Sequence, residues 1–298
     1  MGNIFGRLQR PCTAFSAERA HATSIIDRTV SERFRLPCSA DVPTATQNSQ
    51  MCPIIDYLDI CNEILFHVGL ELRERRGGSL SLVSFDETSA QVPPPADVDL
   101  NRTKTFLRWL IGTHVCITSL VLRGEWVTSH CEIIVEELPD NNHIEKLLVR
   151  FPSAKALQMD ISTMLPRLRF LEDLTLYYSP NTNAFVEAVS ELLRTTTCLR
   201  SLALHSCYSG QPSKTLMDAL AANSTLKTFK LWANWHAAVP PSALANYVMS
   251  GRLLTELVVM GYTNDRQELL LEECLVRNST VSTLHIHSVC AAKAPHDS

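Results

Sequence analysis

Residues 199–204 read Leu-Arg-Ser-Leu-Ala-Leu, and the same pattern of apolar residues recurs along most of the chain. Six further copies keep apolar residues at the first, fourth and sixth positions, and they begin at residues 117, 144, 171, 226, 254 and 281. Successive copies are therefore 27 or 28 residues apart. Self-similarity at a fixed period of this length indicates stacked repeat units.

The residues upstream of each copy are also periodic. Apolar residues stand ten and six positions before every start, as in Leu107 and Ile111 or Val189 and Leu193. Spacings of three and then two place the apolar residues of a copy on one side of a strand, whereas a spacing of four keeps two residues on one helical face. Each unit is therefore predicted to consist of a helix, a turn and a strand.

A single unit of this kind has no partner for its apolar face, so the units must stack. The strands then form a parallel sheet and the helices form a second layer. Strands lie roughly 4.8 Å apart, while helices are about 10 Å across, so the stack must curve with the sheet on its inner side. The predicted fold class is α/β, a solenoid shaped as a partial horseshoe with a parallel sheet on the concave face and helices on the convex face.

Two repeats carry a family resemblance. They read Leu199-x-x-Leu202-x-Leu204-x-x-Cys207 and Leu226-x-x-Phe229-x-Leu231-x-x-Asn234. This pattern resembles the leucine-rich repeat, and its period with a full helix resembles the ribonuclease-inhibitor-like subclass. More narrowly, the chain resembles the expanded arachnid leucine-rich-repeat proteins that are labelled as relatives of cytosolic nucleotide-binding immune receptors. The resemblance implies a non-catalytic interaction module or scaffold that binds a protein, in innate sensing or in inhibition of its partner.

The segments outside the repeats suggest four regions. Residues 1–50 carry six Arg against four acidic residues without periodicity, which predicts a disordered leader. Residues 51–76 are predicted to form an N-terminal capping helix opened by Pro53. Residues 77–290 hold about seven to eight units, including an earlier strand at 80–85, and residues 291–298 form a tail. The last strand has no predicted cap, so we expect either a truncated longer solenoid or a surface that covers this edge.

Composition and motifs exclude several functions. The net charge of −4 provides no basic excess for nucleic acid, and no run of 18 apolar residues predicts a membrane span. No secretory signal is present, which favours the cytoplasm and reduced thiols. The sequence contains no phosphate-binding loop, no His-Glu-x-x-His and no Gly-x-Ser-x-Gly. We therefore predict that the protein is not an enzyme and uses no cofactor.

The cysteines and histidines do not predict a metal site. No Cys-x-x-Cys occurs, and the one metal-like cluster, His285-x-His287-x-x-Cys290, lacks a fourth ligand. Cys116 and Cys198 occupy the same position of two repeats, which places them about 14 Å apart, too far for a disulfide.

The position three residues before each start carries Asn at 141, 223 and 278 and Gly at 251. Asn and Gly are typical of a left-handed residue that ends a helix. This structural role accounts for the sequons at Asn223 and Asn278 without glycosylation.

The side chains between the apolar positions of each strand are predicted to point onto the concave face. Arg, Tyr and Trp are enriched where proteins bind proteins. The alternative is that a hydrated strand face simply carries mixed polar and aromatic residues. We predict a partner-binding site formed by Arg123, Lys146, Arg150, Tyr177, His205, Lys230, Trp232, Met260, His285 and His287.

A second function is also open. Leucine-rich repeats often follow a short helical F-box, and residues 58–72 include Glu63-Ile64-Leu65 in a helical setting. The alternative prediction is a substrate-receptor subunit of a ubiquitin ligase, which binding to a Skp1-type adaptor would decide.

Overall fold

The computed structural model describes Cys38 and residues 52–75, 78–85, 97–124, 143–151, 161–177, 183–205, 214–232, 246–249, 253–260 and 273–287. The predicted leader, apart from Cys38, and the predicted tail lie outside these residues. In the described chain, no helix combines the length and the apolar character needed to cross a membrane.

One open sheet of nine strands, not closed into a barrel, organises the described residues. Its spatial order follows the order of the chain. The first pair is antiparallel and every later pair is parallel. The strands are β1 Leu70–Glu74, β2 Leu80–Ser84, β3 Ile117–Arg123, β4 Lys146–Arg150, β5 Asp173–Tyr177, β6 Ser201–His205, β7 Thr228–Trp232, β8 Glu256–Met260 and β9 Thr283–His287. The predicted α/β class and the mostly parallel sheet are confirmed.

The apolar positions of the repeats are also neighbours in space. Each is the Cα partner of its counterpart in the next strand, so the central position forms one line across the sheet: Leu120, Leu147, Leu174, Leu202, Phe229, Leu257 and Leu284. Leu257 is fully buried, whereas Leu284 in β9 is 37% exposed. The central leucine is therefore less covered in β9 than in β8.

Helices form the second layer. They are α1 Leu58–Phe66, α2 Asp97–Thr113, α3 Asn183–Thr195 and α4 Lys214–Ala222, with short helical stretches at 246–249 and 273–277. Their buried residues join the strand leucines in one hydrophobic core. The rings of Phe229 in β7 and Tyr247, for example, meet edge to face at 5.5 Å. Leu107, Ile111, Val189 and Leu193 are buried, as the helical spacing predicts.

One connection departs from the predicted helix. Before β5 the described chain forms two 3-10 helices, Ile161–Thr163 and Leu165–Arg167. Pro166 lies in the first turn of the second, where its ring removes a backbone donor and disfavours the α conformation of Leu165. Ile161 and Leu165 are buried nonetheless. The apolar spacing therefore identified the buried residues correctly, but not the type of helix.

Residues 52–75 do not form the single capping helix that the sequence predicts. Residues Pro53–Tyr57 form a 3-10 helix and α1 follows, but the helix ends at Phe66. Gly69 has φ of 68°, a conformation that glycine adopts without a Cβ clash, and the chain then turns into β1. Leu72 pairs with Leu82 of β2 instead of extending a helical face. Its apolar side chain is buried in either arrangement, which is why helical spacing misassigned it.

The position three residues before each start closes the turn with a side chain. Asn223 Oδ1 accepts hydrogen bonds from the backbone N–H groups of Thr225 and Leu226, and Asn278 Oδ1 bonds the corresponding groups of its own repeat. Thr196 uses its hydroxyl in the same way. Asn141 and Gly251 lie outside the described residues.

Candidate functional site

Alternate side chains of β3 to β9 form a surface that we call the polar sheet face. In β4, Leu147 and Val149 are buried, whereas Lys146 is half-buried and Arg150 is exposed. β5 shows the same alternation, which follows from the pleat of a strand with one face in the core. Ser119, Ala203 and Val258 occupy the same face in other strands but are buried. The face comprises the residues that are second, fourth and, where present, sixth after each repeat start, among them Arg123, Lys146, Arg150, Asp173, Tyr177, His205, Lys230, Glu256 and His285.

The register brings several predicted site residues into line. Arg123 is the Cα partner of Arg150, Arg150 of Tyr177, and Tyr177 of His205. Further along the sheet, the backbone of Met260 lies between the backbones of Trp232 and His287. The side chains of these last three residues lie outside the described part of the structure, as does Cys290. The described side chains of this line are those of Arg123, Arg150, Tyr177 and His205, on β3 to β6.

Two aromatic rings stack within this line. The ring centroids of Tyr177 and His205 are 3.9 Å apart and their planes differ by 24°. Burial, followed by the nearby charge of Lys230, lowers the pKa of His205 to about 4. The imidazole is therefore neutral near pH 7 and presents a flat, uncharged stack with the phenol.

An ion pair joins β7 and β8 on the same face. Lys230 Nζ lies 3.0 Å from Glu256 Oε1, and the Thr228 hydroxyl donates a hydrogen bond of 3.2 Å to the other carboxylate oxygen. The hydrogen bond from Lys230 lowers the pKa of Glu256. The Glu256 carboxyl is therefore ionised near pH 7.

A groove of about 410 Å³ occupies the end of the face nearest β1. Its lining includes Lys146, Asp173 and Thr175 from the predicted face, together with Arg73 and Arg75 at the end of β1. The two arginines were missed by sequence analysis, because residues 51–76 were assigned to a helix. The alternation of apolar and charged residues in Leu70-Glu-Leu-Arg is typical of a strand and would have indicated β1.

A second cluster lies in the core. Cys38, Cys52, His114 and Cys116 are all buried, and their sulfur and ring nitrogen atoms lie within 4.8 Å of one another. Cys52 Sγ is 3.4 Å from Nδ1 of His114. Thiols and imidazole are the side chains that bind zinc and other soft or borderline metals.

Three of the four side chains are held at the ends of secondary-structure elements. Cys52 precedes the 3-10 helix Pro53–Tyr57, and its carbonyl accepts a bond from Ile55 N–H. His114 follows α2, where its N–H bonds the carbonyl of Leu110. Cys116 immediately precedes β3, and its carbonyl accepts a bond from Leu80 N–H. These backbone bonds fix the positions from which the side chains converge.

The environment of His114 is apolar. The indole ring of Trp109 packs against it edge to face at 4.8 Å, and among the described residues its Nε2 has no hydrogen-bond partner. Burial acts to lower the pKa of His114, but hydrogen bonds with Cys38 and Cys52 outweigh it and raise the pKa to about 9. Hydrogen bonds with the same two cysteines, together with burial, raise the pKa of Cys116. The four side chains thus lie together in a buried site.

Sequence analysis missed this cluster because its members come from three distant segments. Cys38 falls in the predicted leader, yet its side chain is 1% exposed. A signal was available in the repeat: His114 stands where the other repeats carry Asn, Thr, Leu or Gly, and Cys116 follows it by two residues. A histidine and a cysteine two residues apart are residue types that bind zinc.

Comparison with known proteins adds no family assignment. A scan against protein-family models finds no match to the chain, and a search of curated proteins finds none either.

Proposed function

We propose that the chain is a leucine-rich-repeat solenoid of the ribonuclease-inhibitor-like subclass, and that it acts as a non-catalytic module that binds a protein partner on the polar sheet face. The observation that carries this proposal is the alignment of Arg123, Arg150, Tyr177 and His205 as successive Cα partners on four adjacent strands. We expect the protein to act in the cytoplasm.

The sheet supports the repeat assignment. Its strands follow one another in space as in sequence, and equivalent residues of successive units pair without a shift from β3 to β9. This arrangement is what repetition of one unit generates when every unit contacts only its neighbours.

The chemistry of the face supports protein binding. Arg150 is exposed and can donate several directed hydrogen bonds from one planar group. Tyr177 offers a large ring that the stack with His205 already orients, so less side-chain entropy is lost on binding. The groove beside β1 adds Arg73 and Arg75 to the same surface. A partner with acidic and aromatic groups would complement these features.

Site-specific photocrosslinking tests the proposal. A photoreactive amino acid at Arg150 should crosslink one protein in the native cell, and the Tyr177→Ala change should abolish that adduct. The matched control places the same amino acid at Glu187, which is exposed on α3. Equal adducts from both positions, or no adduct at Arg150, would contradict binding on this face.

The alternative as a ubiquitin-ligase receptor gains less support. In α1, Ile64 and Leu65 are buried in the core, and Glu63 is exposed. An adaptor that recognises an apolar helix face would find these two side chains already covered. A pull-down with a Skp1-type adaptor, with Glu63→Arg as the control for a specific contact, distinguishes the two functions.

A further inference from the structure

We propose that Cys38, Cys52, His114 and Cys116 bind one Zn²⁺ ion, which fastens the N-terminal segment to the turn between α2 and β3. The four ligand atoms already lie within 4.8 Å of one another, and all four residues are buried. This inference is independent of the partner-binding proposal, since none of the four residues belongs to the polar sheet face.

The geometry is close to that of a tetrahedral zinc site. Zn–S bonds of about 2.3 Å and Zn–N bonds of about 2.0 Å place tetrahedral ligands about 3.5 to 3.8 Å apart. The distance of 3.4 Å between Cys52 Sγ and His114 Nδ1 fits a shared ion. The remaining separations, at most 4.8 Å, require small side-chain rotations. The nitrogen that faces the sulfur is Nδ1, so the structure assigns Nδ1 as the ligand.

The donor set selects the metal. Three sulfurs and one imidazole nitrogen suit zinc, whereas Ca²⁺ and Mg²⁺ require oxygen ligands. Four protein ligands complete a tetrahedral shell, which is the arrangement of structural zinc sites and leaves no position for substrate. The ion would therefore stabilise the fold without a catalytic role.

Zinc binding would also set the protonation states of the four side chains. Zinc binds cysteine as thiolate and histidine as neutral imidazole, so each thiol, and the imidazole where it is protonated, releases one proton to solvent when the ion enters. A disulfide would instead join two of the three sulfurs and leave the imidazole facing a third sulfur without a partner charge. The meeting of all four side chains at one point favours the ion.

The ion would connect three stretches of the chain that are distant in the sequence. Cys38 comes from a segment otherwise outside the described residues, and Cys52 stands at the start of the 3-10 helix before α1. His114 and Cys116 belong to the turn that leads into β3, beside the β2 backbone. We therefore expect the positions of Cys38 and Cys52 to depend on the metal, whereas β1 is also held by its pairing with β2.

Metal analysis of the full chain tests the proposal. The protein, purified under reducing conditions with zinc supplied and then gel-filtered, should contain one zinc per chain by plasma mass spectrometry. Replacement by Co²⁺ should give the intense visible bands of a tetrahedral site and near-ultraviolet thiolate-to-cobalt charge transfer. Cys116→Ser and His114→Ala should reduce the zinc content from one equivalent to near zero. His114→Cys should restore it, because a fourth thiolate completes the same shell.

Cys198→Ser is the matched control. Cys198 occupies the position of Cys116 in a later repeat and lies outside the cluster, so this variant should keep one zinc. If Cys116→Ser fails to fold, the wild-type cobalt spectrum and limited proteolysis with and without a chelator decide the question, with cleavage near residues 38–57 expected only after chelation. Wild-type protein without zinc, equal zinc in the Cys116 and Cys198 variants, or a disulfide among the three cysteines in protein whose free thiols are blocked at cell lysis without reductant would overturn the proposal.

Discussion

The side-chain amide of Asn223 donates a hydrogen bond of 2.7 Å to the backbone carbonyl of Leu193, thirty residues earlier in α3. Asn278 repeats the contact with the carbonyl of Val248, at 2.6 Å and at the same sequence separation. Because Oδ1 of each asparagine also closes its own turn, each side chain joins one repeat to the repeat before it. One carbonyl near the end of α3 and one in the helical stretch 246–249 thus obtain a partner from the next unit.

Replacement of Asn223 by alanine should destabilise the fold. The change removes the donor to Leu193 and leaves the N–H groups of Thr225 and Leu226 without their acceptor. Leaving part-buried backbone groups unpaired costs about 1–3 kcal/mol in the free energy of unfolding. Urea unfolding followed by circular dichroism measures the loss.

Asn101 provides the control for this prediction. It also lies in a sequon, but its side chain is exposed on α2. Asn101→Ala should change the free energy of unfolding by less than about 0.5 kcal/mol. Equal losses for both variants would contradict a role for the asparagine that links the repeats.

The line of leucines across the sheet should dominate the stability of the repeats. Leu202 is fully buried between its Cα partners Leu174 and Phe229, so Leu202→Ala removes packed methyl groups and leaves a cavity. We expect a loss of about 2–5 kcal/mol in the free energy of unfolding. The neighbouring Ser201→Ala, on the polar sheet face, should cost less than about 0.5 kcal/mol. Similar losses at the two positions would contradict the assignment of the two faces.

Protonation of His205 should destabilise the protein. Its pKa in the folded state is lowered to about 4, whereas an unfolded histidine titrates near 6.5. The unfolded state therefore binds a proton that the folded state rejects, and stability falls as the pH drops from about 6.5 toward about 4. His205→Gln should remove this part of the pH dependence, measured as the urea midpoint across that range.

The same histidine can be followed directly by NMR. Its ring protons should titrate with a midpoint near pH 4, and Lys230→Met should raise the midpoint because a nearby positive charge is removed. A midpoint near the ordinary value of about 6.5 would contradict the burial of the stacked ring.

The ion pair between Lys230 and Glu256 should make a small, pH-dependent contribution. A double-mutant cycle with Lys230→Met and Glu256→Gln should give a coupling of about 0.2–1 kcal/mol near pH 7, since both side chains are partly exposed. The pKa of Glu256 is lowered in the folded state, so the coupling is present above the unfolded pKa of about 4.3 and disappears as the pH falls through the folded pKa.

The more exposed pair of Arg194 and Glu191, 3.8 Å apart on α3, is the control for that cycle. It should show a coupling near zero, because longer, hydrated ion pairs contribute little. A coupling at Lys230 and Glu256 that survives strong acid would contradict an electrostatic origin.

Prediction from sequence succeeded where the pattern was periodic. The strands at β3 to β9 were expected from apolar residues spaced by three and two, and the register aligns those residues as expected. It failed where a local signal was ambiguous. Leu72 suits a helix face and a buried strand equally well, and only its pairing with Leu82 decides between them.

The candidate sites divide in the same way. The line from Arg123 to His205 followed from the repeat register alone. The stack of Tyr177 on His205 and the contribution of Arg73 and Arg75 to the groove depend on side-chain rotamers and on the direction of β1, which the repeat does not specify.

The sequence by itself determined the parallel sheet, its order and the residues that face the core, because a repeated apolar spacing has one compact solution when identical units stack. Only the tertiary structure revealed that Cys38 and Cys52 meet His114 and Cys116. Contacts between segments far apart in the chain depend on how the N-terminal turn folds back onto the first repeat. That return leaves no periodic trace in the sequence, and it places four potential ligands around one point.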